Sequence, residues 1–198
     1  MTSSKENILK TLRSANVAAA PLPNLEGNWI TYDAPLEQFC NVLESVGGRA
    51  VFVSDEQNLA TEVEKVIQEK EALQVYSQLP GINSANVDLT KMTDSHDCES
   101  IQFALITGQF GVAENGAIWV DETTIPHRAA WFLTQHLGIV LPSNAIIQNM
   151  HEAYNQIKFD GKGFGLFISG PSKTADIEQS LVIGAHGPRS LTVFLTGK

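Results

Sequence analysis

The spacing of apolar residues along the chain predicts an alternation of helices and strands. Apolar residues recur at helical intervals over residues 3–15, 34–46, 55–70 and 144–157. Short apolar runs between and after these segments are typical of buried strands, and they fall at 49–54, 72–77, 101–108, 116–121, 137–141, 164–169 and 191–195. This alternation favours an α/β fold with a single open, mainly parallel sheet flanked by helices.

Glycine, proline and polar clusters mark where these elements end. Two prolines, an asparagine and a glycine in "AAAPLPNLEGNW" predict a connector after the first helix. We therefore expect an N-terminal helix and connector over residues 1–30, and an α/β domain over residues 31–198. Gly47-Gly48 is expected to end the second helix. The polar stretch 80–98 predicts a long loop or a weak element.

Composition and charge narrow the class of protein. The chain has 43% hydrophobic and 18% charged residues, which is ordinary for a soluble globular protein. Its net charge of −9 argues against a nucleic-acid binder or an anionic-membrane binder, because both need a positive field. A local basic pocket for an anionic metabolite is still compatible with this charge. No apolar run approaches the length of a membrane span, and charged residues interrupt the N-terminal segment where a signal peptide would be apolar. We expect a cytoplasmic protein.

The cysteine and histidine content predicts no metal site and no cofactor within this chain. Cys40 and Cys98 lie far apart in the sequence, so they form neither a CxxC zinc motif nor a cysteine-ligated iron–sulfur cluster. His127 and His136 are nine residues apart, which does not place them on one helical face.

The stretch "FISGPSKTADIEQSLVIGAHGPRSLTVFL" (167–195) contains several glycine and glycine–proline turn signals around one short apolar run. It predicts a strand end, a Gly-Pro-Ser loop, a short helix from about Ile177 to Ile183, and a glycine-rich return into the last strand. Ligands of open α/β sheets bind outside the carboxyl ends of the strands, where we expect this loop. If strands 164–169 and 191–195 are parallel and adjacent, loops 170–176 and 184–188 lie side by side at one rim.

The first of these loops carries the predicted substrate-binding residues. Backbone N–H groups at the start of the predicted helix, with the hydroxyl groups of Ser172 and Thr174, favour a phosphate or a carboxylate. The spacing leaves a purely structural interpretation equally open, in which Asp176 caps the helix. The full predicted set in this stretch is Gly170, Pro171, Ser172, Thr174, Asp176 and Gly187.

Three further side chains are candidates for chemistry, each with a structural alternative. His186, between flanking glycines, suits proton transfer or anion binding, or else a hydrogen bond within a turn. Glu114 is a candidate general base or nucleophile, although the following Asn115-Gly116 favours an exposed residue in a tight turn. Arg128 suits bidentate binding of a carboxylate or phosphate, and equally a helix cap or a surface ion pair.

The segment "GPSKTADIEQSLVIGAHGPRSLTVFL" closely resembles the C-terminal signature of the LUD-domain family, of the lactate-utilisation protein C type. In that signature a Gly-Pro-Ser-x-Thr-x-Asp-Ile-Glu block is followed by Gly-x-His-Gly-Pro. "GVAENGAIWV" and "HRAAWFLTQHLGIVLPSNAII" also resemble segments of that family, and the resemblance covers roughly residues 30 to 197. One departure is Glu114-Asn115-Gly116, where many relatives have Glu-Thr-Gly.

The resemblance implies a fold similar to those of ribose-phosphate isomerases and CoA transferases. It also implies participation in the oxidation of lactate to pyruvate, as the cluster-free component beside iron–sulfur partner proteins. Two alternatives stay open: a stand-alone isomerase or transferase that acts on a phosphorylated metabolite or an acyl-CoA through Glu114, and a non-enzymatic assembly subunit. The expected ligand is a small anionic metabolite, and an oligomer is compatible with the sequence.

Overall fold

A computed structural model describes residues 3–15, 20–158, 163–175 and 181–197. Its described helices are α1 (Ser4–Ser14), α2 (Pro35–Ser45), α3 (Glu56–Glu69), α4 (Ala130–Leu133) and α5 (Met150–Gln156). Its described strands are β1 (Gly48–Val53), β2 (Val75–Ser77), β3 (Phe103–Thr107), β4 (Phe110–Val112), β5 (Ala117–Asp121), β6 (His136–Pro142), β7 (Ile146–Ile147), β8 (Gly165–Ile168), β9 (Lys173–Ala175), β10 (Leu181–Ile183) and β11 (Ser190–Thr196). None of the described helices is long and apolar enough to cross a membrane.

The centre of the fold is a five-stranded parallel sheet with the strand order β1-β11-β6-β3-β2. Alternate residues of β3 enter two separate cores, because side chains of a strand point to opposite faces. Ile106 packs with Phe39 of α2 on one face, whereas Leu105 packs with Val63 of α3 on the other. Burying each such side chain stabilises the fold by roughly 1.5–3 kcal/mol. The predicted α/β class with a mainly parallel, helix-flanked sheet is confirmed.

A second sheet with the order β7-β4-β5-β8 covers the α2 side of the central sheet. Strand β5 is antiparallel to both β4 and β8. Ile118 and Val120 of β5 belong to the same core as α2, whereas Trp119 between them packs with Ala153 of α5. The second sheet therefore forms a layer between the central sheet and α5.

Strands 164–169 and 191–195 are not adjacent, so the condition under which they would bring the two loops together is not met. Strand β8 pairs with β5 in the second sheet, while β11 lies between β1 and β6 in the central sheet. Burial explains the difference. The middle residues of β11 are buried on both faces, as a central strand requires, whereas the residues of β8 are each only partly buried, which suits a strand at the edge of a sheet.

Two predicted helical segments are also wrong in part. The predicted helix 144–157 begins only at Met150, because the Asn149 side chain accepts a hydrogen bond from Glu152 N and caps α5 there. Ile146 pairs with β4 instead of stacking on Met150 and Tyr154 along one helical face. Residues 181–183 form a strand paired with β9, where β-branched Val182 faces Thr174. Residues 176–180, the rest of the predicted helix 177–183, lie outside the described residues.

Side-chain caps start the first and third helices. Ser3 caps α1 in a capping box with Glu6, and Asp55 caps α3. The stretch 80–98 contributes two short 3₁₀ helices, Leu89–Lys91 and Ser95–Ser100. The proposed domain boundary at residue 30 stays a prediction.

Candidate functional site

The candidate site is a pair of loops, residues 170–174 and 184–189, which we call the loop pair. Ser172 N donates a hydrogen bond to Pro188 O at 2.8 Å, and Gly184 N donates to Ser172 O at 2.9 Å. The β9–β10 pairing continues this contact away from the loops. The described parts of the two predicted loops therefore do lie side by side, although the antiparallel pairing of β9 with β10 and direct backbone hydrogen bonds bring them together, not a pair of parallel strands.

Glycine at position 187 permits the close approach of these loops. A Cβ atom there would lie 2.9 Å from Ser172 Cβ and 3.4 Å from Phe132 O in α4. Any larger residue would push the second loop away from Ser172 or from α4. Close packing against Ser172 and α4 thus requires glycine at position 187, the middle residue of "HGP".

The first loop is fixed to the turn between α2 and β1. Gly170 has φ +75°, and a Cβ atom on it would lie 2.6 Å from Val46 O. The next residue, Pro171, is buried against Gly47. Since Gly170 occupies the left-handed region and touches backbone, this position accepts only glycine without strain.

The loop pair lies at the amino ends of the central strands, not at the carboxyl ends. Ser190, directly after the second loop, starts β11 opposite His136 at the start of β6. Arg189 N donates to Gln135 O at 2.7 Å, just ahead of β6. The expectation of a carboxyl-end site was wrong because β8, the strand before the first loop, belongs to the second sheet.

Two basic residues and two histidines lie at this edge of an otherwise acidic chain. Lys173, His186 and Arg189 are all exposed on the loop pair. His136 Nδ1 lies 2.8 Å from Ser190 Oγ. Burial lowers the pKa of His136, and the charges of Lys70 and Arg189 lower it further, whereas Glu69 acts in the opposite direction. The exposed Lys173 and Arg189 give this edge positive charge, which suits a small anion.

The remaining residues of the predicted set take different places. Thr174 lies in β9 opposite Val182, two residues beyond Ser172. Asp176 lies outside the described residues. The substrate-binding assignments of the whole set stay predictions.

Arg128 is engaged in a surface ion pair. Its Nη1 donates to Glu122 Oε2 at 3.1 Å, and its guanidinium lies 4.7 Å from the centre of the Phe164 ring. About half of the Arg128 side chain is exposed. One of the two structural alternatives is thus observed, although a guanidinium has further donors for an anion. Its role in anion binding stays a prediction.

Glu114 lies exposed in the tight β4–β5 turn that Asn115-Gly116 predicted. Its Oε2 accepts a hydrogen bond from Met150 N, the first residue of α5, at 2.8 Å. Ser169 Oγ donates to Asn115 O at 2.8 Å, which connects the turn to the residue before Gly170. Glu114 therefore has a structural function at α5, and its assignment as a base or nucleophile stays a prediction.

Sequence inspection missed Arg189, Ser190, Lys70 and the contribution of His136 to this edge. His136 and Ser190 are 54 residues apart in the chain and meet only because β6 and β11 are neighbours in register. No local motif carries that information. The charge of Arg189 next to "HGP" was the one available signal.

Metal ligands do not cluster in the part of the chain that the structure describes: no three His, Cys, Asp or Glu side chains there are grouped to hold an ion. Neither Cys40 nor Cys98 forms a disulfide. The absence of a metal or other cofactor stays a prediction.

Comparisons with known proteins place this architecture in context. A family model described as the LUD domain matches residues 36–196. The chain is 29% identical over 113 residues to Lactate utilization protein C of Bacillus pumilus (strain SAFR-032), a match that covers 54% of this chain and 47% of that protein. It is 30% identical over 115 residues to Lactate utilization protein C of Geobacillus kaustophilus (strain HTA426), which covers 55% of this chain and 45% of that protein. The chain spans about half the length of the curated relatives it matches.

A solved structure shares the fold. The crystal structure of a DUF162 family protein from Deinococcus radiodurans superposes with a TM-score of 0.61 at 16% sequence identity. The match covers 82% of this chain and 96% of that chain. At this identity the likeness shows a common fold alone.

Proposed function

Because the chain belongs to the LUD domain family, we propose that it takes part in lactate utilisation, the oxidation of lactate to pyruvate, and that the loop pair binds a small carboxylate. Two things support the proposal. Relatives that match about half of the chain carry the name Lactate utilization protein C. In addition, the hydrogen bonds between Ser172 and both Pro188 and Gly184 hold the cationic loop pair together.

The loop pair has the chemistry that a 2-hydroxy or 2-oxo acid requires. Charge-assisted hydrogen bonds from Lys173 and Arg189 would bind the carboxylate. His186 is exposed on the same loop as Arg189 and would add a positive charge or transfer a proton. The single observation that carries this assignment is the direct contact between the two loops, because it holds Ser172 and the 184–189 segment at one rim.

The oxidation removes two electrons and two protons from lactate, and this proposal assigns the electrons to iron–sulfur partner proteins. A cysteine-ligated cluster takes four cysteines, and this chain has two. The chain would then act as the cluster-free component that binds the carboxylate or organises the partners. We propose a cytoplasmic location for the assembly.

Growth on lactate tests the proposal in the source organism. A strain that lacks this chain is complemented with the wild-type sequence or with a variant in which Lys173, His186 and Arg189 are all alanine. We expect the wild type to restore growth on lactate and the triple variant to fail while accumulating to the same level. The matched control is Lys65→Ala, whose side chain is on the exposed surface of α3. Normal growth on lactate without the chain would contradict a role in lactate utilisation.

The same strains separate the proposal from its two rivals. Full growth with the triple variant, in a strain that cannot grow without the chain, would favour a non-enzymatic assembly subunit. Turnover of a phosphorylated sugar or an acyl-CoA by the purified chain, lost in Glu114→Gln, would favour a stand-alone isomerase or transferase. Co-purification of the tagged chain with iron–sulfur proteins is the result expected for the proposed assembly.

A further inference from the structure

A second concave region lies on the other side of the second sheet, between connector residues 25–31 and α5. It has a volume of about 760 Å³, which is within the range of small-molecule sites. Its lining includes Asn28, Trp29, His151, Glu152, Tyr154 and Asn155. None of its lining residues belongs to the loop pair. The whole connector wall precedes residue 36, where the match to the LUD domain model begins.

Hydrogen bonds hold the two walls of this pocket together. The buried Asn149 side chain donates through Nδ2 to Ile30 O at 2.9 Å and accepts through Oδ1 from Glu152 N at 3.0 Å. Gln148 Oε1 accepts from Tyr32 N at 2.7 Å. The connector is thereby fixed to the start of α5, so the pocket is formed before any ligand enters.

The pocket offers aromatic ring surface. Trp29 stacks on His151 with the ring centroids 3.4 Å apart and an interplanar angle of 8°. The indole N–H is already donated to Leu25 O at 3.1 Å and His151 covers one face of the ring, so Trp29 offers a ligand its other ring face and not a hydrogen bond. Tyr154 is 65% exposed at the same pocket. Exposed aromatic faces in a concave site are platforms for the stacking of flat rings.

The charges of the pocket differ from those of the loop pair. Its described lining contains Glu152 and His151 and no Lys or Arg. Since the whole chain carries −9 and Glu152 adds a negative group, this lining favours a phosphate or carboxylate less than the loop pair does. Asn28, Asn155 and Thr31 add amide and hydroxyl groups that can pair with the edge of a polar ring.

We propose that this pocket binds a planar nitrogen heterocycle without negative charge, of the nucleobase or nucleoside class. Stacking on the Trp29 and Tyr154 rings supplies the affinity, and the amide groups with Glu152 select hydrogen-bonding rings over plain aromatic ones. The site is additional to the proposed carboxylate site, and its test does not depend on lactate binding.

Tryptophan fluorescence with adenosine as the probe tests this site. Trp29 is 41% exposed, whereas Trp119 and Trp131 are only 6% and 2% exposed, so quenching by adenosine reports on Trp29. We expect saturable quenching by adenosine, and an affinity about tenfold weaker for AMP because of its phosphate. Calorimetry should show that Trp29→Ala and Tyr154→Ala each weaken adenosine binding by about tenfold. The matched control is Leu22→Ala, an exposed connector residue outside the pocket, which should bind as the wild type does.

Three results would overturn the proposal. The first is the absence of saturable quenching with adenosine up to about 10 mM, ten times a Kd in the millimolar range. The second is binding of AMP that equals or exceeds that of adenosine. The third is tighter binding of tetramethylammonium than of adenosine, which would indicate a site for compact cations rather than flat rings. Equal melting temperatures of the variants and the wild type establish that the fold is intact in each comparison.

Discussion

At the scale of single residues, glycine decides where the first loop of the loop pair can lie. Gly170 has a left-handed backbone, and a Cβ atom added to it would lie 2.6 Å from Val46 O. Val46 is the residue that ends α2, and its carbonyl belongs to backbone that β1 holds in place. Neither side of this contact has room to move.

Gly170→Ala should therefore destabilise the protein. The left-handed conformation costs an alanine about 1–2 kcal/mol, and the contact with Val46 O adds to that. For a chain of this size each kcal/mol lowers the Tm by about 2–4 °C, so we expect the Tm to fall by about 2–8 °C. Gly163→Ala is the matched control, because nothing lies within 4 Å of its added Cβ. Equal melting temperatures of the two variants in a thermal scan would contradict the proposed constraint.

Glu114 has a measurable structural role whatever its chemistry. Because its Oε2 accepts from Met150 N, Glu114→Ala should lower the free energy of unfolding by about 1 kcal/mol. Glu114→Gln keeps an acceptor oxygen and should lose less. Urea denaturation of the three proteins measures both effects. Wild-type stability in Glu114→Ala, together with loss of function in the complemented strain, would instead indicate a role in chemistry.

At the scale of elements, the parallel pairing of β6 with β11 brings together residues that are far apart in the sequence. His136 lies beside Ser190 across this register. The charged groups that act on its pKa are Lys70 at the end of α3, Arg189 before β11, and Glu69. The stability of this edge should therefore depend on the protonation of His136.

Acidification should destabilise the fold through His136. Its pKa in the folded chain lies below the ordinary value of 6.5, so the unfolded chain binds this proton more readily. Stability is then full above about pH 6.5 and declines as the pH falls from there towards the folded pKa. We expect His136→Asn to lose less stability than the wild type between about pH 7.5 and pH 5.5, as measured by urea denaturation.

His96 provides a control of opposite sign for that experiment. Its hydrogen bond to Asp94 raises the pKa of His96, so the folded chain holds this proton more tightly and gains stability at low pH. His96→Asn should therefore lose more stability on acidification than the wild type. If His136→Asn and the wild type show identical pH profiles, His136 does not control this edge.

The elements differ in how far the sequence alone predicts them. β3, β6 and β11 are apolar runs buried on both faces, and such runs identify central strands without further information. Their neighbours are set by tertiary pairing, so the sequence could not separate β8 from the central sheet. The short run 181–183 has too few residues for its period to distinguish a strand from a helix. Ser172 and Pro188 were placed together correctly from their glycine–proline turns, although by the wrong connection.

At the scale of the whole molecule, the structure presents two candidate sites of different chemistry. One is the loop pair at the amino ends of the central strands, and the other lies beside α5. The loop pair carries Lys173, His186 and Arg189, while the pocket between connector residues 25–31 and α5 carries Glu152 and aromatic rings. The chain as a whole is acidic, with a net charge of −9, and the loop pair places Lys173 and Arg189 where they would attract an anion. A carboxylate should bind there with an affinity that falls as salt is added.

Calorimetric titration of the purified chain with L-lactate and pyruvate, at low and at high salt, tests the central claim most directly. We predict that the wild type binds one of these acids and binds it more tightly at low salt, because salt screens the attraction between exposed charges. Arg189→Ala should bind more weakly and lose most of this salt dependence, with the fold intact by its melting temperature. If neither acid binds, or if Arg189→Ala keeps the affinity and the salt dependence of the wild type, a carboxylate site at the loop pair is contradicted.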